Sequence, residues 1–189
     1  MSAQDSKLFV ISGPSGAGKG TLVTRVRERR SNLGLTVSAT TRAPRKGEVD
    51  GVNYFFLTRE EFDRRVANGE FVEWAEVHGN CYGTLVSEVQ SKLALGASLI
   101  LEIDVQGALQ VKERFPEAVL IFIKPPSLEV LRERLVGRGT ETPETIELRM
   151  ANAADELALA DRYDDVVVND DLDRATDELV RVLDMHERI

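Results

Sequence analysis

Apolar and polar positions alternate along the chain in a way that predicts short buried strands separated by helices. Residues 7–12 are almost entirely apolar and lead directly into a glycine-rich stretch, after which a helix is expected over about 19–30. Three further apolar runs of strand length, at 98–104, 118–124 and 165–168, are each followed by a helix-compatible sequence. Strands that are apolar throughout are typical of a parallel sheet covered by helices on both faces. The pattern therefore predicts an α/β protein.

The alternation is interrupted first between about residues 38 and 88. Short strand patterns and glycine turns in this segment predict a small mixed α/β lobe inserted into the parallel sheet. Thr58 and Glu61 have the spacing of a capping box, so a helix is expected to begin after Thr58 and to end near Gly69.

A second interruption lies at 132–149, where a Gly-Arg-Gly-Thr sequence at 137–140 separates two helical patterns. Glycine on both sides of an arginine predicts a flexible arch. Thr142 followed by proline is typical of a helix that begins again, with a capping side chain and proline in the first turn.

Length and composition narrow the class of protein. The 189 residues, 42% of them hydrophobic, predict one globular domain. A net charge of −8 argues against broad nucleic-acid binding, which needs a basic face. The longest apolar run, at 118–123, is far too short to span a bilayer, and the polar N-terminal residues do not resemble a secretory signal. A single cysteine excludes an internal disulfide. We therefore expect a cytoplasmic protein with small-molecule partners and no membrane or nucleic-acid partner.

The glycine-rich stretch after the first strand has the spacing G-x-x-x-x-G-K of a phosphate-binding P-loop. Glycines allow successive backbone N–H groups to face an anion at a helix N-terminus, and the lysine reaches the β- and γ-phosphates. The predicted strand before the motif and helix after it are the context that the motif requires. The loop is therefore predicted to bind a nucleoside triphosphate through Gly13, Pro14, Ser15, Gly16, Ala17, Gly18, Lys19, Gly20 and Thr21.

The residue after the P-loop lysine is usually serine or threonine, whose hydroxyl meets Mg²⁺, but here it is Gly20. Thr21 supplies the nearest hydroxyl, and its contact with the metal is either direct or through water. The sequence Gly-Lys-Gly-Thr is similar to that of adenylate kinases, so an adenylate kinase stays open as an interpretation at this point.

A second basic site is predicted around Pro44, where Arg42 and Arg45 lie three residues apart. Their planar guanidinium groups suit a phosphate held in a fork. By itself the segment is equally compatible with a charged loop in solvent.

Seven motifs occur in one order along almost the whole chain, from about residue 7 to 185. Together they resemble guanylate kinase. The motifs are Gly13–Lys19, Ser38–Glu48, Glu70–Trp74, Tyr82–Thr84, Glu102–Gly107, Gly137–Thr140 and Val168–Leu172.

The resemblance implies a P-loop kinase core with a five-stranded parallel sheet flanked by helices, an inserted mixed α/β GMP-binding lobe and a helical lid. It implies a nucleoside monophosphate kinase that phosphorylates GMP, and dGMP, reversibly with ATP and Mg²⁺ in purine metabolism and GMP recycling. The parts of the single domain 1–189 would be the core at 1–37, 89–131 and 150–189, the lobe at 38–88 and the lid at 132–149.

Individual roles follow from the resemblance, residue by residue. The GMP phosphate would be held by Arg42, Arg45, Tyr54 and Tyr82. The guanine pocket would contain Ser38, Glu73, Gly83, Thr84, Glu102 and Asp104. The transferring phosphate would be contacted by Lys19, Arg42, Arg134, Arg138 and Arg149, and Asn169 would lie near the ATP base. Two positions besides Gly20 depart from the commonest pattern: Thr84 replaces serine and Glu102 replaces aspartate.

The chemistry of guanine supports the role of Glu73 separately. Guanine presents N1–H and N2–H₂ donors on one edge, and a carboxylate accepts from both, whereas adenine presents an acceptor there. A buried group left unpaired can reject the wrong base by about 10⁴-fold. On strand alternation alone, however, Glu73 between Val72 and Trp74 would face outward.

Two other functions remain open from the sequence. One is an adenylate or other monophosphate kinase, which Glu73 and the 38–48 segment disfavour. The other is a phosphopeptide-binding scaffold domain, which generally has a damaged P-loop, whereas here Lys19 is present. Because the phosphate oxygen of GMP is already anionic, the expected transfer needs no general base. Closure of the 137–140 arch is expected to exclude water.

Overall fold

The computed structural model describes residues 6–77, 79–137, 139 and 142–188. The strands are β1 Leu8–Ser12, β2 Gly34–Leu35, β3 Ala39–Thr40, β4 Phe55–Phe56, β5 Phe71–Val77, β6 Asn80–Leu85, β7 Leu99–Glu102, β8 Val119–Lys124 and β9 Asp165–Val168. The helices are α1 Lys19–Arg29, α2 Arg59–Ala67, α3 Val86–Ala94, α4 Val105–Arg114, α5 Leu128–Gly137, α6 Pro143–Leu157 and α7 Leu172–Glu187, with a 3₁₀ turn at Ala160–Arg162. The predicted α/β class is confirmed.

Five strands form one parallel sheet in the order β2-β7-β1-β8-β9. Strand β1 lies at its centre and is buried along its whole length. Successive side chains of β1 point to opposite faces: Phe9 and Ile11 pack against α1 and α7, whereas Leu8 and Val10 pack against α3 and α4. Two covered faces explain why Leu8–Ile11 of β1 and Val119–Ile123 of β8 are apolar at consecutive positions.

Several predicted site residues lie at the carboxyl ends of the parallel strands. The carboxyl ends of β1, β7 and β9 lead into the P-loop, into Glu102 to Asp104, and into Asn169. Ligands of open α/β sheets bind outside these ends.

A second, four-stranded sheet of order β4-β3-β6-β5 is formed between α1 and α3 in the sequence. It is mixed, since β3 and β4 are parallel and the other pairs are antiparallel. Helix α2 covers it, with Phe62 stacked on Phe71 at 4.3 Å between ring centroids. The Thr58 cap is confirmed, because the hydroxyl accepts the N–H of Glu61 at 3.1 Å. The prediction of a mixed α/β segment is therefore confirmed.

Helices α5 and α6 pack on each other through a small apolar cluster formed by Leu131, Leu135, Ile146 and Ala153. Helix α6 begins as predicted, with the Thr142 hydroxyl accepting the N–H of Thr145 and proline in the first turn. Within the described part of the chain, no helix combines the length and apolar character needed to cross a bilayer.

Candidate functional site

The loop between β1 and α1 has a backbone that only glycine permits at two positions. Gly13 has a φ of 139°, and a Cβ there would lie 2.2 Å from the carbonyl oxygen of Ile123. Gly18 caps α1 in the left-handed conformation, and a Cβ there would lie 2.4 Å from Nδ2 of Asn169. The loop is thus packed directly against the ends of β8 and β9. Its N–H groups lie at the N-terminus of α1, where an anion is favoured.

Lys19 is the first residue of α1 and bends back over the loop. Its Nζ donates to the carbonyl oxygens of Gly13 at 2.6 Å and Pro14 at 3.0 Å. The loop cleft, which is lined by Ser15, Gly16, Gly18, Lys19, Gly20, Thr21 and Glu102, lies beside this ammonium group. A cationic group held in an open cleft next to an anion-binding loop suits a polyphosphate.

Side chains from three other elements hold the loop in place. Asn169 is buried, and its Nδ2 donates to the carbonyl oxygen of Ala17 at 2.8 Å. Arg134 of α5 donates to the carbonyl oxygen of Asn169 at 2.8 Å. Arg149 of α6 donates to the Ser15 hydroxyl. Two of the predicted arginines therefore lie at the loop, and an adjoining cleft contains Thr21, Arg134, Asn169 and Leu172.

A second cleft lies between the two sheets and is called the acidic cleft here. It is lined by Ser38, Tyr54, Glu73, Ala75, Val77, Tyr82, Gly83, Glu102, Ile103 and Asp104. Seven of these were predicted as GMP-binding residues, and the structure brings them together from β5, β6, the end of β7 and the segments before β3 and β4.

Glu73 faces this cleft, contrary to what strand alternation predicts. A bulge between Phe71 and Glu73 shifts the register, so that Phe71 pairs with Leu85 but Glu73 pairs with Thr84. The bulge leaves Phe71, Val72 and Glu73 all buried, and Trp74 takes the exposed side. Burial raises the pKa of Glu73, the nearby Asp104 adds to the rise, and hydrogen bonding from Thr84 opposes it, so that the pKa lies at about 7.

Two further oxygen-bearing side chains, those of Asp104 and Thr84, lie beside Glu73. Asp104 caps α4 by accepting the N–H of Gly107 at 2.7 Å. A Cβ on Gly107 would lie 3.2 Å from Oδ1 of Asp104 and 3.3 Å from Oε2 of Glu73, so both carboxylates lie against this turn. The Thr84 Oγ1 is buried and close enough to the Glu73 carboxylate to lower its pKa, although within the described residues it has no partner at full hydrogen-bond geometry. Two buried groups, Glu73 and Thr84, and the more exposed Asp104 thus offer acceptor oxygens to one place, which suits a ligand edge that presents N–H donors.

Of the two arginines predicted to hold a phosphate, Arg42 is already paired with a carboxylate of the same chain. Arg42 donates to both carboxylate oxygens of Glu48, at 3.0 and 2.9 Å, and its guanidinium lies 5.3 Å from the ring centroid of Tyr54. The hydrogen bond from Arg42 lowers the pKa of Glu48. Arg45 donates its backbone N–H to Glu48 at 2.7 Å and lines, with Arg42, a cleft that adjoins the acidic cleft at Val77 and Tyr82, called its outer end below. Glu48 lies within the motif at 38–48, but its role in positioning Arg42 could not be predicted from the sequence.

Glu102 connects the two clefts, since it lines both. Desolvation by the cleft walls raises the pKa of Glu102, and Lys19 lowers it. Of the other predicted residues, Arg138 lies outside the described residues, as does Thr140 of the predicted arch.

Comparisons with known proteins agree with this arrangement. The family model described as guanylate kinase matches residues 5–186. The guanylate kinase of Gloeobacter violaceus is 57% identical, covering 94% of this chain and 87% of the relative. That of Halalkalibacterium halodurans is 51% identical, covering 97% and 90%. A crystal structure of guanylate kinase from Anaplasma phagocytophilum superposes with a TM-score of 0.73 at 37% identity, covering 96% of this chain and 86% of the other. The P-loop and the acidic cleft agree with the family model and with these relatives, which match almost the whole chain. The chain therefore belongs to the guanylate kinase family of nucleoside monophosphate kinases.

Proposed function

We propose that the chain transfers the γ-phosphoryl group of ATP to the phosphate oxygen of GMP, and of dGMP, reversibly, giving ADP and the diphosphate. The observation that carries the proposal is the buried Glu73 carboxylate beside Asp104 and Thr84, in a cleft that shares one wall, Glu102, with the P-loop. We place this activity in the cytoplasm and in purine metabolism and GMP recycling.

Base selection is assigned to the acidic cleft. An ionised Glu73 accepts the N1–H and N2–H₂ donors of guanine, and Ser38, Gly83, Thr84, Glu102 and Asp104 complete the pocket. Adenine would place its N1 acceptor against the carboxylate and leave a buried charge unpaired, which costs several kcal/mol at such a site. The convergence of two carboxylates and the buried Thr84 hydroxyl supports guanine over adenine.

The GMP phosphate is assigned to the outer end of the acidic cleft, with Arg42, Arg45, Tyr54 and Tyr82. Arg42 is already oriented by Glu48 and by the Tyr54 ring, which reduces the side-chain entropy lost when a phosphate binds. Planar guanidinium groups offer paired N–H donors to phosphate oxygens.

ATP is assigned to the P-loop at 13–21, with Asn169 toward its base. Lys19, Arg134 and Arg149 would neutralise charge that develops on the transferring phosphoryl group, together with Arg42 and Arg138. The nucleophile is an anionic phosphate oxygen, so no residue has to remove a proton. Histidine is a common general base, but His186 lies on α7, paired to Asp165 and away from both clefts.

Mg²⁺ is assigned to the loop cleft. It is a hard cation that prefers oxygen ligands, and the cleft offers the Thr21 hydroxyl and the Glu102 carboxylate. No group of three or more His, Cys, Asp or Glu among the described residues is placed to hold a metal. This donor set fits a cation that is held chiefly by the nucleotide phosphates, where it would neutralise the charge that develops during transfer.

The three parts of the domain are assigned as a core at 1–37, 89–131 and 150–189, a GMP-binding lobe at 38–88 and a lid at 132–149. Arg149 of the lid already reaches Ser15, so a small closure would bring lid cations over the phosphates.

The test is the release of ADP from Mg·ATP with GMP, AMP, CMP or UMP as acceptor under matched conditions. We expect turnover with GMP at least about 10³-fold above that with AMP in kcat/KM. Equal turnover of AMP and GMP would overturn the base assignment. No turnover with any acceptor, together with tight binding of a phosphopeptide, would mean that the fold serves as a binding module.

A further inference from the structure

Gly20 is a glycine that its backbone does not require. It lies in the first turn of α1 and is not among the glycines with positive φ. Glycine within a helix is less favourable than alanine, so an unforced glycine here calls for a reason in the surrounding space. The same position in most P-loops carries a hydroxyl that meets Mg²⁺.

The surrounding space is taken by Glu102. A Cβ built on Gly20 would lie 3.4 Å from Oε1 and 3.6 Å from Oε2 of Glu102, which is already van der Waals contact. A further apolar atom in that direction would overlap the carboxylate, and a hydroxyl there would be held by it in a hydrogen bond and so compete with a metal for the same oxygens. Glu102 reaches this point because it ends β7 and pairs in register with Ile11, one residue before the end of β1.

We propose that Gly20 and Glu102 form a matched pair, in which the Glu102 carboxylate takes the place, in space and as an oxygen donor, of the hydroxyl side chain that usually follows the P-loop lysine. The proposal rests on the proposed function, because it assumes that Mg²⁺ and a nucleoside triphosphate occupy the loop cleft.

The matched pair gives one explanation for two departures from the family pattern, which are glycine at position 20 and glutamate at position 102. Aspartate at position 102 would withdraw the carboxylate by one methylene and leave a gap beside Gly20. A serine at position 20 would place its hydroxyl against the longer glutamate. Each departure is therefore unfavourable alone and compatible with the other, so the two positions are coupled rather than independent.

The test compares wild type with Gly20→Ser, Glu102→Asp and the double variant. The affinity for a non-hydrolysable ATP analogue is measured by calorimetry with and without Mg²⁺, after thermal unfolding has verified that each variant is folded. Each single substitution is expected to weaken Mg²⁺-dependent binding about 10-fold, as loss of a group near a metal does, and the double variant to recover to within about threefold of wild type. Binding without Mg²⁺ is expected to change by less than about twofold, because the P-loop backbone is unaltered.

Glu113→Asp, the same shortening on the exposed side of α4, is the matched control and should leave both affinities unchanged. If the losses of Mg²⁺-dependent affinity in the two single variants multiplied in the double variant, the matched pair would be wrong. It would also be wrong if the single variants lost no affinity, and in both cases the proposed function would stand. A wild-type protein that gains no affinity from Mg²⁺ would instead overturn the proposed metal site, and the pair with it.

Discussion

The two clefts are built in different ways. The loop cleft is made by backbone: glycines at 13, 16 and 18 in positive-φ conformations, a helix N-terminus and one lysine, all within seven consecutive residues. The acidic cleft is made by side chains from distant segments, with Glu73, Thr84 and Asp104 arriving from β5, β6 and the start of α4. A backbone site recognises phosphate, which every nucleotide carries. A side-chain site can distinguish one base from another, but it depends on the register of a sheet.

The largest effect is expected when the lysine of the loop cleft is replaced. Lys19→Ala removes the cation over the loop, and kcat/KM is expected to fall about 10²–10³-fold, as when one preorganised stabilising group is lost. Steady-state kinetics with GMP would check this. Lys7→Ala, at the opposite end of β1, is the matched control. Near-normal kcat/KM in Lys19→Ala would contradict the role of the lysine.

The next effect concerns base selection by the acidic cleft. Glu73→Gln replaces one acceptor by a donor, and the ratio of kcat/KM for GMP to that for AMP is expected to shrink about 10²-fold or more. Glu76→Gln, on the exposed part of the same strand, should leave the ratio unchanged. An unchanged ratio in Glu73→Gln would mean that another residue recognises the base.

A smaller effect follows from the ionisation of Glu73. Because burial raises its pKa to about 7, the free protein carries this group partly protonated near neutral pH, and only the carboxylate accepts both guanine donors. GMP affinity should therefore rise with pH through about 7 and level off above it, with a loss of about 10-fold at one pH unit below. Calorimetry in buffers of different ionisation enthalpy should show proton release on binding.

Glu73→Gln separates this linkage from the titration of the GMP phosphate itself, because the phosphate contribution persists in the variant. Identical proton release in the variant and in wild type would contradict the assignment of the linkage to Glu73.

The same pKa has a consequence for stability. A carboxyl whose pKa is higher in the folded than in the unfolded protein loses its stabilising contribution as the pH rises from about 4.5 to about 7. Glu73→Gln should therefore raise the melting temperature of the ligand-free protein more at pH 8 than at pH 5, by an amount equivalent to at most about 3 kcal/mol. Thermal unfolding at the two pH values checks this, and an equal change at both would contradict it.

The smallest effect concerns Glu48, which positions Arg42. Glu48→Gln weakens the paired hydrogen bonds but also removes a negative charge from the phosphate end of the cleft. These changes oppose each other, and KM for GMP is expected to rise about two- to fivefold with kcat less affected. The measurement is saturation kinetics in GMP. A KM below that of wild type would show that the charge of Glu48 matters more than its positioning.

The different construction of the clefts also explains what could be predicted from sequence. The P-loop, the parallel sheet and the Thr58 and Thr142 caps follow from local spacing and were confirmed. The inward direction of Glu73 did not follow, because a bulge overrides the alternation of the strand. The pairing of Arg42 with Glu48, and of Gly20 with Glu102, could not be predicted either, since a side chain's partner depends on loop conformation and on strand register.

The most direct test of the contrast between the clefts is a crossed binding experiment by calorimetry. Lys19→Ala and Glu73→Gln are each titrated with Mg·ADP and, separately, with GMP. The account predicts that Lys19→Ala weakens the binding of Mg·ADP and leaves GMP affinity within about twofold, and that Glu73→Gln does the reverse, because non-contacting sites act independently. If each variant weakened both ligands equally, the two clefts would not be separate sites, and the account would be wrong.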